Sequence, residues 1–221
     1  MNGTRVDDID IRHYQTSDQA AVLDIAADTA FFGEPVEAFL DDRKLYGDAF
    51  ARYYLEHEAP FAWVADGPDG VIGFLLGCAD TRRQISQWRG YIITHVLVNA
   101  LSGRYKLGRR TTSFAWGMLI GAVRRETPRI ELTEYPAHLQ IDVMQGYRGV
   151  GIGRRLIEAY LEQLRGLAVT SVYLETTNHN EAACYLYEKV GFQLLDERPN
   201  HFWTKMFDFQ VNNRSYGLKL S

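Results

Sequence analysis

Residues 9 to 14 read IDIRHY, with apolar and polar positions alternating, and this period of two predicts a strand. The next run, QAAVLDIAADTAFF, brings its apolar residues back every three or four positions. It is therefore expected to be helical, with Thr16, Ser17 and Asp18 offered as N-caps. After Gly33 and Pro35 a second helical pattern follows, VEAFLDDRKLYGDAFARYYLEHE, with Gly47 as its expected interruption. FAWVAD and VIGFLLGCAD flank GPDG, the strongest hairpin signal in the chain. AHLQIDVM and SVYLET are two more strands, separated by a long helix that begins near Val150. Two strands joined by a helix lie parallel in one sheet, with a right-handed crossover. EAACYLYEKV is a short helix stopped by Gly191, a natural left-handed C-cap. FQLLDE and FWTKMFDF are expected to close the sheet as an antiparallel pair. No repeat or low-complexity linker divides residues 1–221, so the pattern predicts one mixed α/β domain.

Composition narrows the class. The 221 residues are 46% hydrophobic and 24% charged, an ordinary globular balance. Cys78 and Cys184 are too few for a disulfide framework and each sits in an apolar segment, so both are expected to be buried free thiols in a reducing cytosol. MNGTRVDDIDIRHY has no basic stretch followed by an apolar one, and the longest apolar runs fall short of the ~20 residues that span a bilayer. The expected location is cytoplasmic, with no transmembrane segment. No metal site is expected, because none of the six histidines pairs with another at the spacing that puts two ligands on one helical face. His138 and His179, near strand ends, are candidates for a proton relay.

The stretch IDVMQGYRGVGIGRRLIEAYLEQLR, residues 141 to 165, carries candidate chemistry. Glycines between a strand and a helix often serve tight turning alone. Arg154 stands where a dinucleotide fingerprint needs its last glycine, and no Lys-Ser/Thr pair completes a P-loop. What remains is Arg148-x-x-Gly151-x-Gly153 opening a helix. A helix N-terminus leaves about four N–H groups unpaired and carries roughly half a positive charge. Side-chain-free positions let an anion reach those groups, which suits a pyrophosphate.

YRGVGIGRRLIEAYLEQL resembles the glycine signature of the GCN5-related N-acetyltransferases (GNAT), Gln/Arg-x-x-Gly-x-Gly/Ala. A second block, LETTNHNEAACYLYEKVGF, is similar to that family's strand, Asn, Leu-Tyr-Glu-Lys and Gly-Phe pattern, and VIGFLLG fits an earlier family strand more loosely. The resemblance implies a mixed, mostly antiparallel sheet with a central splayed parallel strand pair, flanked by helices. It implies acetyl-CoA as co-substrate. The backbone of Arg148, Gly149, Val150, Gly151, Ile152 and Gly153 would hold the pyrophosphate, and Arg148 and Arg154 would add charge. Val143 would pair with the pantetheine amides like an added strand, and Asn180 would bond the pantetheine arm, although it also reads as a helix N-cap. Tyr187, otherwise a core aromatic, would point its hydroxyl at the thioester sulfur and protonate the departing thiolate.

A primary amine with a pKa of about 10 must lose a proton before it attacks. Asp142 and Glu175, each in a strand by the cofactor, are the candidate bases; a water chain is the alternative. EYPAHLQIDV also looks like the acetyltransferase-like domains attached to some O-GlcNAc hydrolases, which favours Asp142. Residues 82 to 127 form an insertion before the cofactor strand, on which the family pattern is silent. Nine basic residues from Arg82 to Arg125 oppose Glu126 alone, so the insertion carries plus eight in a chain of net charge minus four. It reads as a solvated helical hairpin with its apolar face inward. Sharper readings are a lid over an acidic or phosphorylated substrate, a homodimer interface, or a surface for nucleic acid or anionic lipid. Trp88, Tyr91, Phe114 and Trp116 are also candidates to line an acceptor pocket. Two functions follow: an N-acetyltransferase acting on a small-molecule or peptide amine, or a catalytically idle acetyl-CoA-binding interaction or regulatory module.

Overall fold

The computed structural model describes residues 9–220; the first eight residues, part of the N-terminal stretch discussed above, lie outside them. The chain forms β1 (Asp10–His13), α1 (Gln19–Thr29), α2 (Arg43–Phe50), α3 (Arg52–His57), β2 (Ala62–Gly67) and β3 (Gly70–Cys78). The insertion follows as α4 (Thr81–Tyr91), a wide helical turn at Ile92–Leu97, α5 (Val98–Leu101) and α6 (Arg109–Arg124). The second half runs β4 (Ala137–Val143), α7 (Ile152–Gly166), β5 (Ser171–Thr177), α8 (Glu181–Val190), β6 (Gln193–Pro199), α9 (His201–Phe207) and β7 (Asn212–Lys219). The strands make one seven-stranded sheet in the order β1-β2-β3-β4-β5-β7-β6. Among the described residues, only β4 and β5 pair in parallel, and α7 is their crossover.

Each face of the sheet takes its own helices. On α7, apolar residues at helical spacing, Ile152, Leu156, Ile157, Tyr160, Leu161 and Leu164, are buried on Leu75, Leu139, Val172 and Leu174. On the opposite face Val22, Ile25 and Ala26 of α1, with Leu55 of α3, cover Val64, Phe74 and Leu76. Burying each of the larger aliphatic and Phe side chains contributes about 1.5–3 kcal/mol, so the two layers hold the sheet in place. Tyr160 reaches between β3 and β4, its hydroxyl 2.9 Å from the carbonyls of Cys78 and His138. Gly77 makes room for it, since a Cβ there would lie 2.5 Å from the phenol. Cys78 and Cys184 are buried free thiols, as expected. Among the described residues, no helix is long and apolar enough to cross a membrane.

Several local expectations change. Gly47 stays inside α2, packed near Leu23, and the interruption falls at Ala51, whose φ of −119° separates α2 from α3. FWTKMFDF is not a strand: residues 201 to 207 form α9, because the Asn200 side chain caps it by accepting from the N–H of Trp203. The aromatic positions then fall at helical rather than alternate spacing, and β7 takes the pairing role beside β6. The first helix also ends sooner. Phe31 and Glu34 bond to each other across a two-residue turn in which Phe32 has φ +53° and Gly33 φ +97°. Positive φ at both central residues is the geometry that favours Asn-Gly, so a phenylalanine there is strained. In the insertion the apolar residues of α6 point outward: Trp116 is 63% and Val123 78% exposed. Trp88 and Tyr91 pack with Tyr53 and Tyr105 instead of lining a cleft.

Candidate active site

The parallel pair β4 and β5 is joined only from Ala137 opposite Val172 to Leu139 opposite Leu174. Beyond that point β4 continues to Val143 and β5 to Thr177 without pairing. Backbone direction in the gap follows from the other side of β4. Met144 donates to Ile72, and opposed residues of an antiparallel pair alternate between bonded and unbonded. Asp142 and Gln140 therefore turn their backbone groups to β3, while Ile141 and Val143 turn theirs into the opening. An extended amide-bearing chain can pair there as an added strand.

At the end of β4 the chain turns through Gln145–Tyr147 and passes Gly149 (φ +78°) and Gly151 (φ +92°) into α7. Among the described residues, the N–H groups of residues 149 to 154 donate to no protein acceptor; the first bonded amide is that of Arg155, to Gly151. A Cβ at Gly149 or Gly151 would meet nothing within 4 Å, so the turn is open above its amides. Gly153 is different, because a Cβ there would come within 3.1 Å of Leu186. The two arginines are already engaged. The Nε of Arg148 donates to the carbonyl of Val143 at 2.8 Å, and its guanidinium lies against Gly33. Arg154 pairs with Glu158 at 2.7 Å. At the far side of the gap Asn180 occupies the N-cap position of α8, yet its side chain makes no cap hydrogen bond. The nearby hydroxyl of Thr177 is buried without a partner among the described residues. Open amides, an unpaired strand edge and an unsatisfied hydroxyl fit a long phosphorylated cofactor with an amide-bearing arm.

Titratable groups meet the gap from both faces. Tyr187 of α8 is buried beside Phe192 and Tyr216, and its phenol is pushed up first by burial and then by the charge of Asp142. Asp142 stands on the α1 face, so the splayed sheet lets groups on opposite sides sense each other. Burial raises the Asp142 carboxyl from its ordinary 3.8 to about 7, against the opposing effects of the Thr29 hydroxyl and the Arg148 charge. Glu175 is likewise raised to about 7 by the protein around it, although its side chain opens to water. His138 lies deeper on the same face. It bonds the Tyr54 hydroxyl at 2.7 Å and the Thr81 hydroxyl at 2.8 Å, and burial lowers its pKa to about 4. It is therefore neutral near pH 7. His179 instead joins an aromatic cluster with Phe32, Phe207 and Phe209.

Sequence reasoning missed Thr29 at the end of α1 and Phe32 and Gly33 in the loop after it, which reach this region. The glycine in FFGEP was the available signal.

Comparisons with known proteins agree with the fold. A crystal structure named SsHAT superimposes with a TM-score of 0.72 at 28% identity, covering 96% of this chain and 98% of its own. Residues 115–192 match the model of the acetyltransferase (GNAT) family. The chain has a GNAT fold. Another GNAT-like neighbour, yncA from Salmonella typhimurium, was solved with its cofactor acetyl-CoA; it superimposes with a TM-score of 0.60 at 14% identity, over 97% of this chain and 95% of that one. Among curated proteins, N-alpha-acetyltransferase RimI of Mycobacterium tuberculosis is 39% identical over 84 residues, which is 38% of this chain and 51% of RimI. The chain thus spans about half the length of that relative.

Proposed function

We propose that this protein is an N-acetyltransferase that moves an acetyl group from acetyl-CoA to a primary amine by direct attack on the thioester. The observation that carries this reading is the placement of Asp142, raised to about 7, across an unpaired strand gap from the protonated hydroxyl of Tyr187. Acetyl-CoA supplies an activated acetyl group when bound. The amides of residues 149 to 154 hold its pyrophosphate, the backbone edges of Ile141 and Val143 hold its amide-bearing arm, and Asn180 adds a side-chain bond.

Asp142 accepts the proton of the arriving ammonium. A carboxylate near 7 is half deprotonated at neutral pH and closer in basicity to the amine than an ordinary carboxylate, which makes the uphill transfer less costly. The amine nitrogen then bonds to the carbonyl carbon, the carbon–sulfur bond breaks, and Tyr187 donates its proton to the leaving thiolate. Burial keeps that phenol protonated until it is needed. Glu175 shares the cleft and the raised pKa, and accepts the second proton, which the nitrogen sheds as the amide forms; one of the two carboxyl-held protons then returns to the Tyr187 oxygen and the other leaves to solvent. Support for Asp142 comes from this environment, without any need for the likeness to domains attached to O-GlcNAc hydrolases.

RimI, by its name, acetylates an α-amino group, and a peptide amine is accordingly an acceptor class for this chain. The second reading, an idle acetyl-CoA-binding module, predicts cofactor binding without turnover. A thiol-release assay over a panel of small-molecule and peptide amines separates the two. Acceptor-dependent release of CoA is expected, and tight acetyl-CoA binding with no release from any amine would sink the catalytic reading.

A further inference from the structure

Away from the gap, the described residues line an open cavity of about 680 Å³, within the range of small-molecule sites. It lies between the 3₁₀ turn at Val36–Ala38, α6 and α9. The two helices touch closely at Gly117, where a Cβ would stand 2.4 Å from the Phe202 ring. α9 is a shared wall. Phe202 and Met206, four apart, face the cavity; Trp203 and Phe207, also four apart, pack on Phe31 and Phe32 instead. Phe39, Ile120 and Phe202 give the cavity an apolar lining, with Trp116 at 63% and Met206 at 41% exposed on its rim.

Its charges are unevenly satisfied. Asp41 accepts from the N–H and hydroxyl of Thr111 at 2.8 and 2.9 Å, and so caps the first turn of α6. Glu126 accepts from the N–H and ring nitrogen of His201 at 3.1 and 2.7 Å. Both carboxylates are thereby occupied. Arg109, Arg110 and Lys205 line the same cavity, and among the described residues their side chains make no hydrogen bond and no close ion pair, although the charge of Arg110 also acts on Asp41. Guanidinium groups are suited to the planar, bidentate recognition of carboxylate and phosphate.

We propose that this cavity binds a small amphiphilic anion, an apolar chain or ring ending in a carboxylate or phosphate. The apolar body lies on Phe39, Ile120 and Phe202, and the head meets Arg109, Arg110 and Lys205. The site stands whether or not the gap transfers acetyl groups, because it shares no residue with it.

Calorimetric titration of the full chain with monomeric decanoate, decylamine, inorganic phosphate and anionic phospholipid vesicles tests this. The expected result is saturable binding of one decanoate per chain, accompanied by a shift in Trp116 fluorescence that Trp116→Phe removes. Decylamine and phosphate bind at least tenfold more weakly. The exposed triple variant Arg109→Gln, Arg110→Gln, Lys205→Gln loses at least tenfold in decanoate affinity, and Ile120→Trp, which fills the cavity, loses as much. No saturation by decanoate below millimolar concentration would overturn the proposal. So would equal affinity in the triple variant, equal binding of decylamine, or binding confined to the vesicles, which would identify a membrane surface instead.

Discussion

The cofactor segment, residues 137–192, and the insertion, residues 82–127, are both rich in helices with apolar residues, yet they use them oppositely. α7 buries six apolar side chains against the sheet. α6 buries only Thr111 and leaves Trp116, Met118, Leu119 and Val123 more than half exposed. The difference lies in connectivity. α7 links two parallel strands of one sheet, so its apolar stripe has one place to go. α6 is tethered by loops at both ends and meets the body chiefly through α9 and the 3₁₀ turn. Amphipathic periodicity therefore predicts a helix in both regions but predicts its burial only where strands fix the helix on both sides.

Substitutions in the two regions test this difference. The largest effect is expected at the gap: Asp142→Asn should lower turnover about 10²- to 10⁴-fold, the usual contribution of a positioned base, with little change in acetyl-CoA affinity. Steady-state rates across pH measure this, and the wild-type rate should rise through about pH 7 as the carboxyl deprotonates. Next, Leu156→Ala in α7 should cost about 2–5 kcal/mol in denaturant unfolding, because it opens a cavity in a fully buried layer. Tyr187→Phe should reduce kcat by roughly ten- to a hundredfold, at the lower end of general acid contributions, while leaving the fold intact.

Stability should also respond to pH through Asp142. Its carboxyl is raised from 3.8 to about 7, so between those values the folded protein keeps a proton that the unfolded chain gives up. The stability this group contributes is complete below about pH 4 and is lost as pH rises through 7. Asp142→Asn should then unfold at higher denaturant than wild type at pH 8, with the difference shrinking towards pH 4. The smallest effect belongs to the insertion: Leu119→Ser and Val123→Ser should each change stability by less than about 0.5 kcal/mol. A loss as large as that of Leu156→Ala would erase the contrast between the two helices.

Much of the cofactor half was legible because local chemistry dictates it. Gly149 and Gly151 adopt positive φ, and Gly153 packs under Leu186, so the residue type itself reports the geometry. The GPDG turn and the Gly191 cap were readable for the same reason. α9 was misread because its aromatic positions fit either period over so short a run; Asn200 three residues before Trp203 was the cap signal. The charge state of Asp142 was only half legible. Its position in a strand could be read, but its burial beside Thr29 and Arg148 depends on a helix from the start of the chain. The strained Phe32 turn, the Arg148 contact with Gly33 and the cavity under α6 likewise arise from long-range packing that no local window contains.

The proposed function requires that the open amides after β4 grip acetyl-CoA in the gap between β4 and β5. Calorimetric titration of acetyl-CoA into wild-type protein and Gly151→Val tests it most directly, since a side chain there would stand over the amides in a backbone conformation already at φ +92°. One saturable site in the wild type, weakened at least a hundredfold in a folded Gly151→Val, is the predicted result. No heat from the wild type at millimolar acetyl-CoA, or equal affinity in the variant, would contradict it.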